Sequence, residues 1–503
     1  MTVKNKIFWS GLLGLLLCWA CVDDRGNYTY EDPEAILPPK ISGLSDTTFR
    51  IPDIVTLTPE IEGLENEDDY WFTWYTYRGG TGIPVRDTIC RSRNLSFQMM
   101  YPAGESRTLV YEIKDKKTGV FVNKKVSFYG VAEFNKGWLV LNDENDQTDI
   151  DFGFPDGSVR EDILWESQQL KLQGTAVAIV FQSQGYYHQV TNPDGTVTTV
   201  GNLRAWHVLS SRDMMSLNTE NLAPYKHFDE QFYAVPEVAA PQAIMANGNN
   251  ILMNAGRLYS ISGSSSNIGK FGYPRLDYEN LFPALMNGED GNTLVFSRDA
   301  RSFVMTNIYD MNLRTFHAPD KENSLQVSST NMNADMIALL QRDSKTAWAL
   351  MKSVSGPGEY YLADINFKGT DYPFVAFDTL SSDRNLLQAD VYAANQSNSI
   401  WFAKGNVLSY YSKEASDAVS YEVPNIYPFP NGETITWMKR MNGVSDSEGK
   451  GHIYLVVVTN SNAGWKLYRF ELEGDGLRPS LKPGTTPVIW SGKGFARYVE
   501  WIQ

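Results

Sequence analysis

The sequence is poor in cysteine, histidine and positive charge, and each shortage closes off a class of function. Three cysteines occur, Cys18, Cys21 and Cys90, too few for a disulfide framework. Cys18 and Cys21 form a C-x-x-C pair, but the pair lies in an apolar run, with no helix N-terminus behind it to lower a thiol pKa. That argues against a redox or metal role for it, in favour of a place in an export signal. The five histidines, His188, His207, His227, His317 and His452, include no H-E-x-x-H and no pair at ligand spacing, so they read as structural. Lys and Arg number 44 against 59 Asp and Glu, a net charge of −15. That balance argues against nucleic acid and against charge-driven binding to anionic membranes. No G-x-S-x-G elbow, G-x-x-x-x-G-K-[ST] loop or G-x-G-x-x-G turn is present, so the recognisable elements of serine hydrolases and phosphate binders are missing. Helix-period segments are almost absent; the best, MNADMIALLQR, reads equally well as a strand.

What is present begins at the N-terminus. MTVKNK carries Lys4 and Lys6 and no acid, and IFWSGLLGLLLCWA follows, too short for the about 20 residues of a comfortable membrane span. A basic start, a short apolar core and a small residue, Ala20, before a polar turn describe a secretory signal. Residues 1–20 resemble a bacterial lipoprotein signal, which implies that Cys21 becomes the acylated first residue. The match departs at one point, because Cys18 stands where such signals prefer leucine. Cys90 is then left as a lone thiol. Asp23 and Asp24 behind Cys21 resemble the surface-export signal of Bacteroidota-type lipoproteins, which implies an outer-membrane protein facing the exterior; a solvated tether is the plainer reading. Residues 21–40 are acidic and proline-bearing, and read as that tether.

From 41 to 131 short alternating strands recur. In YWFTWYTY, Tyr70, Phe72 and Trp74 share one face and Trp71, Thr73 and Tyr75 the other. TLVYEIKDKKTGVFVNKKVSFYGV reads as a hairpin turning at Asp-Lys-Lys-Thr-Gly. Strands with turns at roughly ten-residue intervals predict a small β-sandwich. From 132 to 503 strand pairs repeat instead, among them GWLVLNDENDQTDIDF, NNILMNAGRLYSIS, NSIWFAKGNVLSYYSKEA and GHIYLVVVTNSNAGWKLYRFEL. A repeat of roughly fifty residues without helical period predicts a β-propeller. Seven units are discernible, and six or eight blades also fit. The last stretch, PVIWSGKGFARYVEWIQ, is expected to close the ring against GWLVLND around Trp138, removing free sheet edges. The fold class expected is thus all-β, a sandwich followed by a propeller.

The 41–131 hairpin with its aromatic strand resembles the PKD-like, immunoglobulin-type domain of surface proteins. CVDDRGNYTYED after the signal and FNKGWLVLNDEN at the domain junction further resemble the PKD-like family of surface lipoproteins of Bacteroidota. The resemblance implies a glycan-utilisation context, beside an outer-membrane transporter and its binding lipoprotein. It implies no reaction.

Two weak sites remain. DENDQTDIDFGFPDG supplies Asp143, Asn145, Asp146, Asp149 and Asp151, hard oxygen ligands that suit calcium. The EF-hand pattern fails, since Thr148 takes the glycine position, and a solvated turn is the alternative. GYYHQVTNPDGTVTTVGN reads as an inserted hairpin with Asn192-Pro193-Asp194-Gly195 at its tip, and Tyr186 and Tyr187 at its base are candidates to stack on a sugar. Such rings as often fill a core. SRDARSF from Ser297 and SSRDMMSL from Ser210 share a Ser-x-Asp start with sialidase turns but lack the glycine and tryptophan, and read as ordinary turns. Three functions stay open: a non-enzymatic surface protein binding a glycan or glycoprotein, a glycan-active propeller enzyme, and a structural assembly subunit. An acidic or arginine-lined axial pocket would favour the enzyme, an aromatic platform binding, and a broad apolar patch assembly.

Overall fold

The protein is described here from a computed structural model, for residues 38–502 except 52, 79–84, 104, 247–249, 262–268, 289–290, 317–324, 326, 357, 368–373, 397, 414–419, 446–450 and 474–477. Cys18, Cys21, the signal and most of the tether lie outside the described residues. The chain divides into two compact units, Met1–Val131 and Ala132–Gln503.

The first unit is a β-sandwich. Its larger sheet runs in the order Thr47–Ile51, Phe121–Ala132, Ser106–Asp115, Tyr70–Arg78 and Asp87–Cys90, and Ile54–Leu57 pairs with Leu95–Gln98 in a smaller sheet. Both contribute to one core, which includes Val55, Trp74, Leu95, Leu109, Tyr111 and Phe128. Alternation along Tyr70–Arg78 buries Trp74 and Thr76 while Trp71 stays 54% exposed. Trp74 stacks on Tyr111 with ring centroids 4.3 Å apart, and its Nε1 donates to the Ser92 carbonyl at 3.1 Å. The Asp-Lys-Lys-Thr-Gly turn forms as read: the Asp115 carboxylate accepts from the Lys117 and Thr118 N–H groups, and Gly119 takes φ +74°.

The second unit is a ring of antiparallel sheets, which follow one another along the chain. Among the described residues there are seven. Sheet 1 holds Gly137–Glu144, Gln147–Gly153 and Val159–Arg160; sheet 2 Ala176–Thr191, Val197–Ser210, Met214–Asn218 and Pro224–Lys226; sheet 3 Pro241–Met245, Ile251–Asn254 and Arg257–Ser260. Sheet 4 begins at Met286–Asn287, sheet 5 at Ala334–Gln341, sheet 6 at Val391–Ala394 and sheet 7 at Thr434–Ser445. MNADMIALLQR is thus a strand.

Why these sequences build a ring is visible in sheet 7. Leu455 and Val457 pack into the core shared with sheet 6, beside Trp401 and Tyr410. Val456 and Val458, on the opposite face, pack into the core shared with sheet 1, beside Trp138 and Val140. Both faces of a middle strand are buried, so it reads as an unbroken apolar run rather than an alternating one. Equivalent cores join each sheet to the next around the ring. Closure comes from the C-terminal strand Phe495–Ile502, which pairs with Gly137–Glu144 and sets Trp501 opposite Trp138. The unit is a β-propeller with its edges joined.

Candidate functional site

Each sheet presents one strand to the axis, and the inner strands of sheets 4 to 7 and of sheets 7, 1, 2 and 3 pack in succession on one another. Between four of them, in sheets 5, 6, 7 and 1, lies a cavity of about 650 Å3. Its lining comes from Leu339–Asp343, Ala393, Ala394, Gln396, Trp437–Arg440, Asn442 and Tyr498. Ala393 and Ala394 are small, which leaves room where a larger side chain would fill the space. Trp437 and Tyr498 meet at 5.6 Å and form an aromatic wall.

Several polar groups of the lining are already committed. Lys439 pairs with Glu500 at 3.0 Å, and Arg342 pairs with Asp364, both nearly buried. The Asp343 carboxylate accepts from the Lys345 and Thr346 N–H groups at 2.7 and 2.8 Å, and these bonds help hold its pKa below the ordinary carboxylate range against the opposing effect of burial. Gln341 is clamped to the backbone of Asn287. Arg440, Gln396 and Asn442 are left facing the cavity without a hydrogen-bond or ion-pair partner among the described residues. Burial lowers the Arg440 pKa. A cavity of this size, with one aromatic wall and a few uncommitted polar groups, is suited to holding a small polar ligand.

The sites expected from sequence lie elsewhere. Tyr186 is 1% exposed, its ring against His207 at 5.5 Å and Tyr225 at 5.4 Å. Tyr187 is half-buried, and its ring lies over Gly201, where an added Cβ would fall 2.4 Å from it. Tyr186 is thus a core ring, and Tyr187 is only partly exposed. The strand Pro224–Lys226 covers the hairpin base, and the Lys226 ammonium donates to the Tyr187 carbonyl at 3.0 Å. Burial pushes the Lys226 pKa down to about 7. His207 is also internal, bonded to Ser216 and Gln182 at 2.9 Å each, and burial pushes its pKa down to about 3, so it stays neutral. His452 lies 3.0 Å from Glu471; His317 falls outside the described residues.

The acidic stretch is an exposed turn at Glu144–Gln147, flanked by the buried and structurally engaged Asp143, Asp149 and Asp151. Asn145 and Asp146, with φ of 51° and 61°, form a two-residue hairpin turn between the paired Glu144 and Gln147. Asp146 pairs with Arg212. Asp143 pairs with Arg497 of the closing strand and accepts from the Ala176 N–H at 3.0 Å. Asp149 is 1% exposed and accepts from Leu164 N at 3.0 Å and Trp165 N at 3.2 Å. It thereby caps the α-helix Ile163–Gln168, whose own N-cap residue, Asp162, makes no side-chain cap bond. Asp151 accepts from Asp162 N and from the Trp465 indole of sheet 7, both at 2.8 Å. Of the calcium candidates Asp143, Asn145, Asp146 and Asp149, the three aspartates thus have oxygens engaged in ring closure, a surface ion pair and the helix cap. Among the described residues no cluster of three or more His, Cys, Asp or Glu is poised to hold a metal.

No curated protein matches the chain. A solved structure titled a quinonprotein alcohol dehydrogenase-like protein, from Bacteroides thetaiotaomicron, is similar at 12% identity and a TM-score of 0.41, covering 92% of this chain and 99% of that one. The activity in that title is that protein's, and the propeller assignment rests on the strand pairing above. Residues 21–176, the tether, the sandwich and the first propeller sheet, match the PKD-like family.

Proposed function

We propose that the protein is a non-enzymatic binding lipoprotein of the outer membrane, anchored through Cys21 and facing the exterior, which holds a glycan or the glycan of a glycoprotein in the axial cavity. The observation that carries this reading is the cavity itself: a Trp437–Tyr498 wall beside uncommitted Arg440, Gln396 and Asn442. Flat rings suit sugar faces, and amide and guanidinium groups suit hydroxyls. The carboxylate in the lining, Asp343, is occupied by backbone donors, which suits a fixed site better than proton transfer. A docking role beside a transporter fits a second feature. Tyr273, Leu276, Tyr309 and Met311 are each more than half exposed, and Leu276 N bonds the Met311 carbonyl. Leu276 and Met311 thus set exposed apolar side chains side by side, with Tyr273 and Tyr309 exposed on the same two segments.

A glycan-active enzyme is the second reading, favoured by two arginines, Arg342 and Arg440, in one axial cavity. A glycan array on the soluble chain from Asp23 onward, with a product assay on every hit, separates the two. Binding without turnover supports the proposal, turnover replaces it, and no hit at all removes it. Trp437→Ala should weaken binding of any hit roughly ten-fold or more. Acyl groups on Cys21 in a mass spectrum, and loss of the protein on protease shaving of intact cells, are expected for the location.

A further inference from the structure

Arg440 occupies an unusual position for a cation. It is paired in register with Leu455, and Met438 with Val457; residues directly opposite in a sheet share a face. Leu455, Val457 and Met438 all pack into the core between sheets 6 and 7. Arg440 therefore projects from the face that elsewhere builds core, at the point where Ala393 and Ala394 open the cavity. Along the same strand Lys439, on the other face, has its carboxylate partner. Arg342 across the cavity has one as well. Arg440 has none among the described residues, in a chain that carries 15 more acids than bases. A partly desolvated, unpaired guanidinium costs stability, and an entering anion would remove that cost.

We infer that Arg440 is the anion-recognition residue of the axial cavity, and that the ligand is an acidic glycan whose carboxylate or sulfate the guanidinium takes while Trp437 and Tyr498 face the sugar rings. The inference rests on the binding function proposed above and names its ligand class. Arginine's planar fork donates two parallel bonds to an oxyanion, which a lysine ammonium does not. The overall negative charge would repel an anionic chain, so preference for acid over neutral sugar must come from this local contact rather than from general attraction.

Calorimetric titration of the full chain tests it with two matched pairs. The first is oligogalacturonate against its methyl ester; the second is a sulfated galactan oligosaccharide against its desulfated form. Each pair shares a backbone and differs in charge, and the two distinguish carboxylate from sulfate. The wild type should prefer at least one charged form by roughly ten- to a hundred-fold. Arg440→Gln should lose that preference at a melting temperature no lower than the wild type's, and Arg440→Lys should keep part of it. Equal binding of charged and neutral forms by the wild type overturns the inference and leaves the binding function standing. So does a preference that survives in Arg440→Gln. If Arg440→Gln does not fold, the wild-type comparison and Arg440→Lys decide. Binding of none of the four overturns the inference, and the glycan array then decides the binding function separately.

Discussion

Burial sets the chemistry of single residues in this propeller. Loss of solvent holds the Asp149 carboxyl up at about 6 and the Asp151 carboxyl up at about 7. In the unfolded chain both would titrate near 4. The folded state therefore keeps a proton that the unfolded chain has already lost. Asp151 favours the fold fully below about pH 4, and that contribution fades as pH rises through about 7. The stability gap between wild type and Asp151→Asn, measured by chemical denaturation, should narrow by on the order of 2 kcal/mol from pH 5 to pH 8. A constant gap would mean that Asp151 is ionised throughout. Tyr186→Ala should cost about 3 kcal/mol, because a fully buried ring leaves a cavity, and should leave ligand affinity unchanged. Gly137, inside FNKGWLVLNDEN, has φ +154°, and an added Cβ would lie 2.5 Å from the Gly153 carbonyl oxygen. Gly137→Ala should cost about 2 kcal/mol, read as a lower melting temperature.

At the scale of elements, the fastenings of the ring converge on one hairpin. Gly137–Glu144 and Gln147–Gly153 receive the closing strand, and their carboxylates reach out three ways. Asp143 holds Arg497 of that strand, Asp149 holds the helix Ile163–Gln168, and Asp151 holds Trp465 of sheet 7. Trp465→Phe keeps an aromatic ring but leaves the buried Asp151 oxygen without its donor and a small cavity beside it, at a cost of about 2–4 kcal/mol. Removal of residues 486–503 takes away the closing strand and the Ala496, Val499 and Ile502 side chains that it buries. It also exposes the edge of Gly137–Glu144. The truncated chain should lose its cooperative unfolding transition, and a truncation that melts like the wild type would sink the closure argument. The strand pairs read from the sequence are mostly the middle strands of each sheet, as in Ser399–Lys404 with Val407–Lys413. These are buried on both faces and therefore conspicuous. Two inner strands escaped notice because their pattern is weak: Val391–Ala394 is short, and Thr434–Ser445 interrupts its apolar residues with Lys439 and Arg440.

For the whole molecule, local pattern was enough to establish an all-β chain. Backbone pairing in a sheet imposes a two-residue period, and burial on both faces imposes apolar runs; both are written into contiguous residues. The closing pair around Trp138 was legible for the same reason, since an apolar C-terminal strand needs a partner. The uses of Tyr186, Asp149 and Asp151 were not legible. A tyrosine at a hairpin base is exposed or buried according to which distant strand lies over it, here Pro224–Lys226. An aspartate in a turn-rich stretch is solvated or spent according to which distant donors reach it, here the helix N–H groups and the Trp465 indole, 314 residues away. The axial cavity is the extreme case. Its walls come from segments near residues 340, 394, 440 and 498, which no sequence period links. The sequence by itself determined the strands, the turns and the acidic balance, because these depend on neighbours along the chain. Only the tertiary structure decided where an unpaired arginine would face open space, because that depends on which strands the closing of the ring brings to the axis.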